Sequence, residues 1–212
     1  MSSTVDALLP LSFLEAVRTV DMPEEEHEAE FVPELRNKRL GLSETVYAQI
    51  QRYTDAVKRR QRTVHDEAVG LARLIGRRPD AEAVFRAAGR YLARETYLTI
   101  PKATRRMVHA LPSIIARPIA LRQARRIGQR YLDGTVTRLG NALLLRVPTP
   151  VTVDSAPGGV GCAYYETFLR ELLQLLAAGG GAVEHVRCEG RGEGTCEWRA
   201  QWGGVRETRG AK

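Results

Sequence analysis

GAVEHVRCEGRGEGTCEWRAQW, residues 181–202, reads as two β-strands joined by a glycine-rich turn. Residues 182–188 form the first strand, and Cys196, Trp198, Ala200 and Trp202 alternate along one face of the second. Residues 189–195, with Gly190, Gly192 and Gly194, suit a hairpin connection. A hairpin sets its ends side by side, so Cys188 and Cys196 meet across it. His185 lies three residues before Cys188, and Cys162 opens the helix that precedes the hairpin. Three thiolates and one imidazole complete a tetrahedral shell for zinc and leave no open position, which is the pattern of a structural rather than a catalytic site. Regular strand geometry opposes this arrangement, because residues three apart point to opposite faces. A bulge or a strand end near Val186 is therefore required. The alternative is a core cysteine at 162 and an exposed strand histidine at 185. All 3 cysteines of the chain lie in this one stretch, which favours the metal.

Upstream of the hairpin, Cys162, Tyr165, Leu169, Leu172 and Leu176 trace a helical stripe that ends at Gly179-Gly180-Gly181. Residues 135–147 are rich in β-formers and broken by Gly140-Asn141, a turn signal between two strands. Residues 151–153 suggest a further short strand, and 156–159 a loop. Earlier still the pattern is helical. Ser43 caps a helix whose apolar face is Val46, Ile50, Tyr53 and Val57. Thr63 caps a second with Ala68, Leu71 and Ile75, and Asp80 a third with Val84, Phe85, Ala88 and Leu92. Pro101, Pro112 and Pro118 interrupt the segment after it, although residues 119–132 read as a basic amphipathic helix. Residues 1–41 read as an extension, with a short amphipathic stretch at 8–20 and an acidic linker from Asp21 to Glu30. Residues 42–202 make up the domain and 203–212 a loose tail. Helices followed by an antiparallel sheet with one helix inserted make an α+β fold.

The 212 residues are 43% hydrophobic, which indicates a globular body. No apolar run is long enough to span a bilayer, and the N-terminus lacks the basic start of a signal peptide, so a cytoplasmic location is expected. Three cysteines make a poor disulfide framework. The net charge of +7 permits contact with nucleic acid, anionic lipid or an acidic ligand without specifying one. That charge is uneven: residues 96–132 hold no Asp or Glu but carry Lys102, Arg105, Arg106, Arg117, Arg122, Arg125, Arg126 and Arg130. Leu111, Ile114, Ile115, Ile119 and Leu121 supply an apolar side to this segment. A solvated or core-flanking face ranks first for it, membrane-surface or lipophilic-ligand contact second. Nucleic acid ranks last, because no recognition motif accompanies the charge.

The terminal segment resembles the 4-vinyl reductase domain family. The resembling residues are Gly161-Cys162-Ala163-Tyr164-Tyr165, Glu184-His185-Val186-Arg187-Cys188-Glu189-Gly190, Gly194-Thr195-Cys196 and Trp198. A weaker likeness covers residues 81–130, through Gly89-Arg90-Tyr91-Leu92 and Ile100-Pro101-Lys102. The first 40 residues lie outside it. The family includes a small protein of bacteriochlorophyll synthesis and zinc-containing sensor domains of aromatic-responsive activators, and is distantly related to TRAPP-type tethering subunits. Its zinc ligands map onto Cys162, His185, Cys188 and Cys196, with histidine where an acid is usual. The resemblance implies a helix layer on an antiparallel sheet and a buried apolar cavity. Phe85, Tyr91, Tyr164, Tyr165, Phe168 and Trp198 would bind an apolar or aromatic small molecule there. It also admits a role in tetrapyrrole synthesis, as reductase or pigment carrier, and an assembly role as a homodimer or interaction subunit. Read on their own, Tyr164, Tyr165, Phe168, Trp198 and Trp202 are as well explained as core.

No catalytic set stands out. His65 and Asp66 fall on the exposed side of a helix, and His109 lies among basic residues with no carboxylate beside it. Gly158-Gly159-Val160-Gly161 lacks the Lys-Ser/Thr of a phosphate loop. Neither a flavin nor a nicotinamide motif is present, so a reductase would lack an evident hydride source. The reading leans towards a binding protein rather than an enzyme.

Overall fold

In a computed structural model of the chain, the described residues are 3–22, 41, 43–176 and 181–201. β1 (Thr4–Asp6) runs directly into α1 (Leu8–Asp21). α2 (Glu44–Lys58) starts at Ser43, whose Oγ accepts a hydrogen bond from the Val46 amide at 3.3 Å. This satisfies one of the first-turn amides that a helix leaves unpaired. β2 (Arg62–Val64) pairs antiparallel with β1 and occupies the position expected for the next cap. Accordingly α3 (His65–Gly76) begins beyond Thr63, whose hydroxyl donates to Glu67 instead. α4 (Ala81–Leu98) follows Asp80, but that carboxylate accepts from Arg78 rather than from a helix amide.

α5 (Lys102–Ala110) and α6 (Ser113–Leu132) each start just after a proline, where the missing amide costs no helical hydrogen bond. α6 begins six residues before the helix read from sequence and carries Pro118 inside it. β3 (Thr135–Leu139) and β4 (Ala142–Val147) form the hairpin expected around Gly140-Asn141, with Gly140 at a φ of 58°. Residues 151–153 form turns rather than a strand, and the Val151 amide donates to Tyr165 Oη at 3.1 Å. A 3-10 turn (Pro157–Cys162) leads into α7 (Ala163–Leu175), β5 (Val183–Arg187), a second 3-10 turn (Glu189–Arg191) and β6 (Cys196–Gln201).

The larger sheet has the order β3-β4-β6-β5, antiparallel throughout, so β6 inserts between the β3–β4 hairpin and its own hairpin partner. Alternation gives it one buried face. Leu143, Leu145 and Val147 pair in register with Ala200, Trp198 and Cys196, and all six are buried. Contacts then pass from this face to α7, from α7 to α4, from α4 to α1, and from α1 to α2. The chain is α+β, as its sequence pattern indicates. α4 and α7 meet closely because Gly89 has no side chain: a Cβ there would stand 2.3 Å from the Tyr164 carbonyl oxygen. The face of α4 read from sequence, Val84, Phe85, Ala88 and Leu92, is fully buried.

The reading of residues 1–41 as an extension is corrected over its first half. Leu8, Leu9, Leu11, Phe13, Leu14, Ala16 and Val17 of α1 are buried in the same hydrophobic core as the sheet. The Phe13 ring lies edge-on to Phe85 at 6.0 Å and 5.0 Å from Tyr164. Asp21 at the end of α1 is buried, paired with Arg78 at 2.5 and 3.0 Å, and accepts from the Gly41 amide at 2.7 Å. Hydrogen bonds donated to Asp80 and Asp21 raise the Arg78 pKa above its ordinary value, so the guanidinium stays charged. The helix is apolar around most of its circumference because it is covered on several sides, so its two-sided pattern is weak. The acidic linker beyond Met22 and the tail 203–212 lie outside the described residues. Among the described residues no helix is long and apolar enough to cross a membrane.

Phe13→Ala should lower unfolding free energy by about 3–5 kcal/mol, the cost of emptying a closed aromatic site. Denaturant titration reads this directly; a side chain on a detached extension would change it by less than about 0.5 kcal/mol.

Candidate metal centre

Each of the four candidate ligands is placed by a local device. Cys162 ends the 3-10 turn and stands at the N-cap of α7. The turn is possible because Gly158 and Gly159 adopt φ of 69° and 73°. It is held down by Thr152, whose Oγ1 donates to the Gly161 carbonyl at 2.8 Å. On β5, His185 pairs in register with Trp198 of β6, and imidazole and indole stack with centroids 4.8 Å apart and planes 7° from parallel.

The register then shifts between His185 and Arg187. Val186 is the extra residue of a β-bulge, and its side chain is exposed. Arg187 pairs with Glu197, and Cys188 comes back to the buried side, 1% exposed. The Cys188 amide donates to Glu193 Oε2 at 2.8 Å, while its carbonyl accepts from the Arg191 and Glu193 amides at 3.1 Å each. Cys196 opens β6, and its Sγ accepts from the Glu189 amide at 3.3 Å, the kind of outer contact that orients and stabilises a thiolate ligand.

These devices converge. Cys162 Sγ and Cys188 Sγ are 3.9 Å apart, and the donor atoms of all four residues lie within 4.8 Å of one another. Sulfurs bonded to zinc at about 2.3 Å stand about 3.8 Å apart across a tetrahedron. Cys162, His185, Cys188 and Cys196 therefore sit close enough to bind a metal ion, in a geometry compatible with a structural zinc site. Among the described residues His185 Nε2 finds no hydrogen-bond partner although it is buried, which leaves that nitrogen open to a further ligand. Among the sulfurs, the bond from the Cys162 thiol, then His185 and the Glu189 amide, hold Cys196 well below the usual thiol range, at about 4. The Cys162 thiol is pushed up, first by its bond to Cys196 and then by burial and the neighbouring sulfurs. Three buried thiolates repel one another, and a divalent cation at their centre removes that repulsion.

From His185 a run of rings leads inward. Tyr165 lies 4.8 Å from Trp198, Tyr164 5.0 Å from Tyr165, and Phe13 5.0 Å from Tyr164. Of the residues read as pocket-lining, Phe85, Tyr164, Tyr165, Phe168 and Trp198 are fully buried in one core. Tyr91 is only half-buried on α4, and Trp202 lies outside the described residues. Sequence reasoning missed Phe13 and Ser12, whose Oγ is 3.1 Å from Tyr164 Oη. The apolar density of residues 8–17 was the signal for both. It also missed Glu193 as the residue that ties down the Cys188 amide. His65 and His109 belong elsewhere. His65 faces Asp66 at 3.6 Å and the Thr149 carbonyl, and His109 bonds Tyr97 Oη at 3.0 Å.

Cobalt(II) added to chelator-treated protein should develop sulfur-to-metal charge-transfer absorption that saturates at about one ion per chain. Cys188→Ser or Cys196→Ser should abolish the signal and His185→Ala weaken it. Because the thiols must lose protons to bind, apparent affinity should fall as pH is lowered.

No family model matches the chain, and neither a curated protein nor a solved structure matches it.

Proposed function

We propose that the chain is a small-molecule-binding domain of the 4-vinyl reductase type, with a structural zinc ion pinning the β5–β6 hairpin to the start of α7. The observation that carries this reading is the convergence of four donors from three separate segments within 4.8 Å. Three sulfurs and one nitrogen suit zinc better than calcium or magnesium, which take oxygen ligands. Four protein ligands close the shell, so the metal's part is to hold two segments together rather than to activate water. Cys162 and the hairpin are separated by the whole of α7, and one ion spanning them fixes the helix against the sheet.

The ligand class is an apolar or aromatic molecule carrying a hydrogen-bond acceptor. Among the described residues Trp198 Nε1 has no partner, although it is buried inside a cluster of rings. An acceptor on a flat apolar ligand would satisfy that donor, and the ring faces would supply stacking. Entry requires α7 and the sheet to part, so loss of metal would loosen the binding region along with the hairpin.

The purified chain should contain about one zinc by elemental analysis, and a chelator should lower its Tm. Simple phenols should raise the Tm of the zinc-loaded protein, because a ligand that binds only the folded state stabilises it. The rise should shrink for Cys188→Ser. A metal-free protein with unchanged Tm would overturn the zinc assignment. A Tm indifferent to every aromatic tried, with zinc present, would overturn the ligand assignment alone.

A further inference from the structure

We propose that the corner formed by α5 and the first turns of α6 docks onto an anionic membrane surface. Two independent features coincide there. The first is apolar and exposed: Ile114 is 84% exposed, Ile115 51% and Met107 49%, on the two helices on either side of the Leu111-Pro112 connection. Ile114 is the most exposed large aliphatic side chain described, and the two helices pack inward through Val108, Ala116 and Ala120. Two adjacent exposed isoleucines at a helix start offer an apolar contact.

The second feature is charge. No carboxylate occurs between residues 96 and 132. Arg52, Arg78, Arg86, Arg94 and Arg146 each sit within ion-pair reach of an acidic side chain. Among the described residues Lys102, Arg105, Arg106, Arg117, Arg122 and Arg126 have no such partner. On α5 lies an open groove of about 710 Å³ lined by Tyr97, Lys102, Arg105, Arg106, His109 and Ala110. At its wall the Arg105 guanidinium lies over the Tyr97 ring at 5.3 Å, and its Nε is buried with no hydrogen-bond partner. A phosphate or carboxylate of a lipid headgroup in this groove would meet several cations at once.

The combination selects the occupant. A second copy of the chain would set cations against cations. A nucleic acid would match the charge but leave the aliphatic tip in water, with nothing to gain from it. An anionic bilayer satisfies both, with aliphatic side chains at the acyl boundary and cations among the headgroups. This surface is formed without the metal ligands, so the proposal stands apart from the zinc and ligand readings.

The test is flotation of the full-length, zinc-loaded chain with vesicles of phosphatidylcholine alone and of phosphatidylcholine with about one-third phosphatidylserine. Binding is expected to the anionic vesicles, little to the neutral ones, and much less as salt is raised. Ile114→Asp with Ile115→Asp should weaken partitioning at least about tenfold, and Lys102→Glu with Arg106→Glu by a similar factor. All four positions are solvent-exposed, so circular dichroism and Tm should be unchanged. Equal binding to both vesicle types, no binding to either, or binding indifferent to the aspartates would overturn the proposal. A dimer abolished by Ile114→Asp would overturn it in favour of a second copy. Oligonucleotide binding lost with the glutamates and kept with the aspartates would overturn it in favour of nucleic acid.

Discussion

A strand presents alternate residues to opposite faces, and this chain needs two residues three apart, His185 and Cys188, on the same one. The single extra residue at Val186 meets that need. The rest of the C-terminal end depends on it. Cys188 turns inward, its amide and carbonyl close the glycine-rich turn, and Cys196 arrives on the neighbouring strand with its sulfur against the Glu189 amide. Cys162 then completes the set from the start of α7. A hairpin is marginal on its own. Here it is tied to a helix through a buried cluster of donors and through the β4–β6 ladder.

The same inward face that carries the donors begins the core. His185 stacks on Trp198, Tyr165 lies tilted against Trp198, and the rings continue through Tyr164 to Phe13 and Phe85. The four-donor cluster is therefore one end of an apolar column that crosses α7, reaches α1 at Phe13 and ends at Phe85 of α4. Gly89 lets the two middle helices touch. Beyond α1, Asp21 and Arg78 fasten its last turn to the segment between α3 and α4. Dense cores have little free volume, so a displacement at one ring of the column is passed to the next rather than absorbed. Changes at the sulfurs and at α1 should be felt by the same structural unit.

Charge is distributed by a different rule. Around the column, arginines on the helices pair with carboxylates of neighbouring elements, as Arg94 does with Glu171 and Arg86 with Glu166. Such surface pairs contribute little stability each. Their interest lies in the contrast with α5 and α6, where cations lie close to exposed isoleucines and the local sequence holds no acid. The segment 96–132 is thus set apart by holding no acid of its own.

The parts legible from sequence are those governed by local chemistry. Glycines marked the turns at residues 140 and 189–195, Ser43 marked the start of α2, and period and spacing marked the faces of α4, α7 and β6. Residue type alone singled out Cys162, His185, Cys188 and Cys196, because soft donors are few and clustered. The features that could not be read depend on partners distant in the chain. The face chosen by His185 and Cys188 hinges on a bulge whose position is set by pairing with β6. The depth of α1 hinges on rings contributed by α4 and α7, and a helix covered on several sides loses the two-sided pattern that periodicity detects. The turns at 151–153 are held by the bond from the Val151 amide to Tyr165, and α6 runs through Pro118 rather than starting after it. Local signals specify what a segment is able to form; which face it turns, and how deeply it sinks, is decided by surfaces that exist only after the chain has closed on itself.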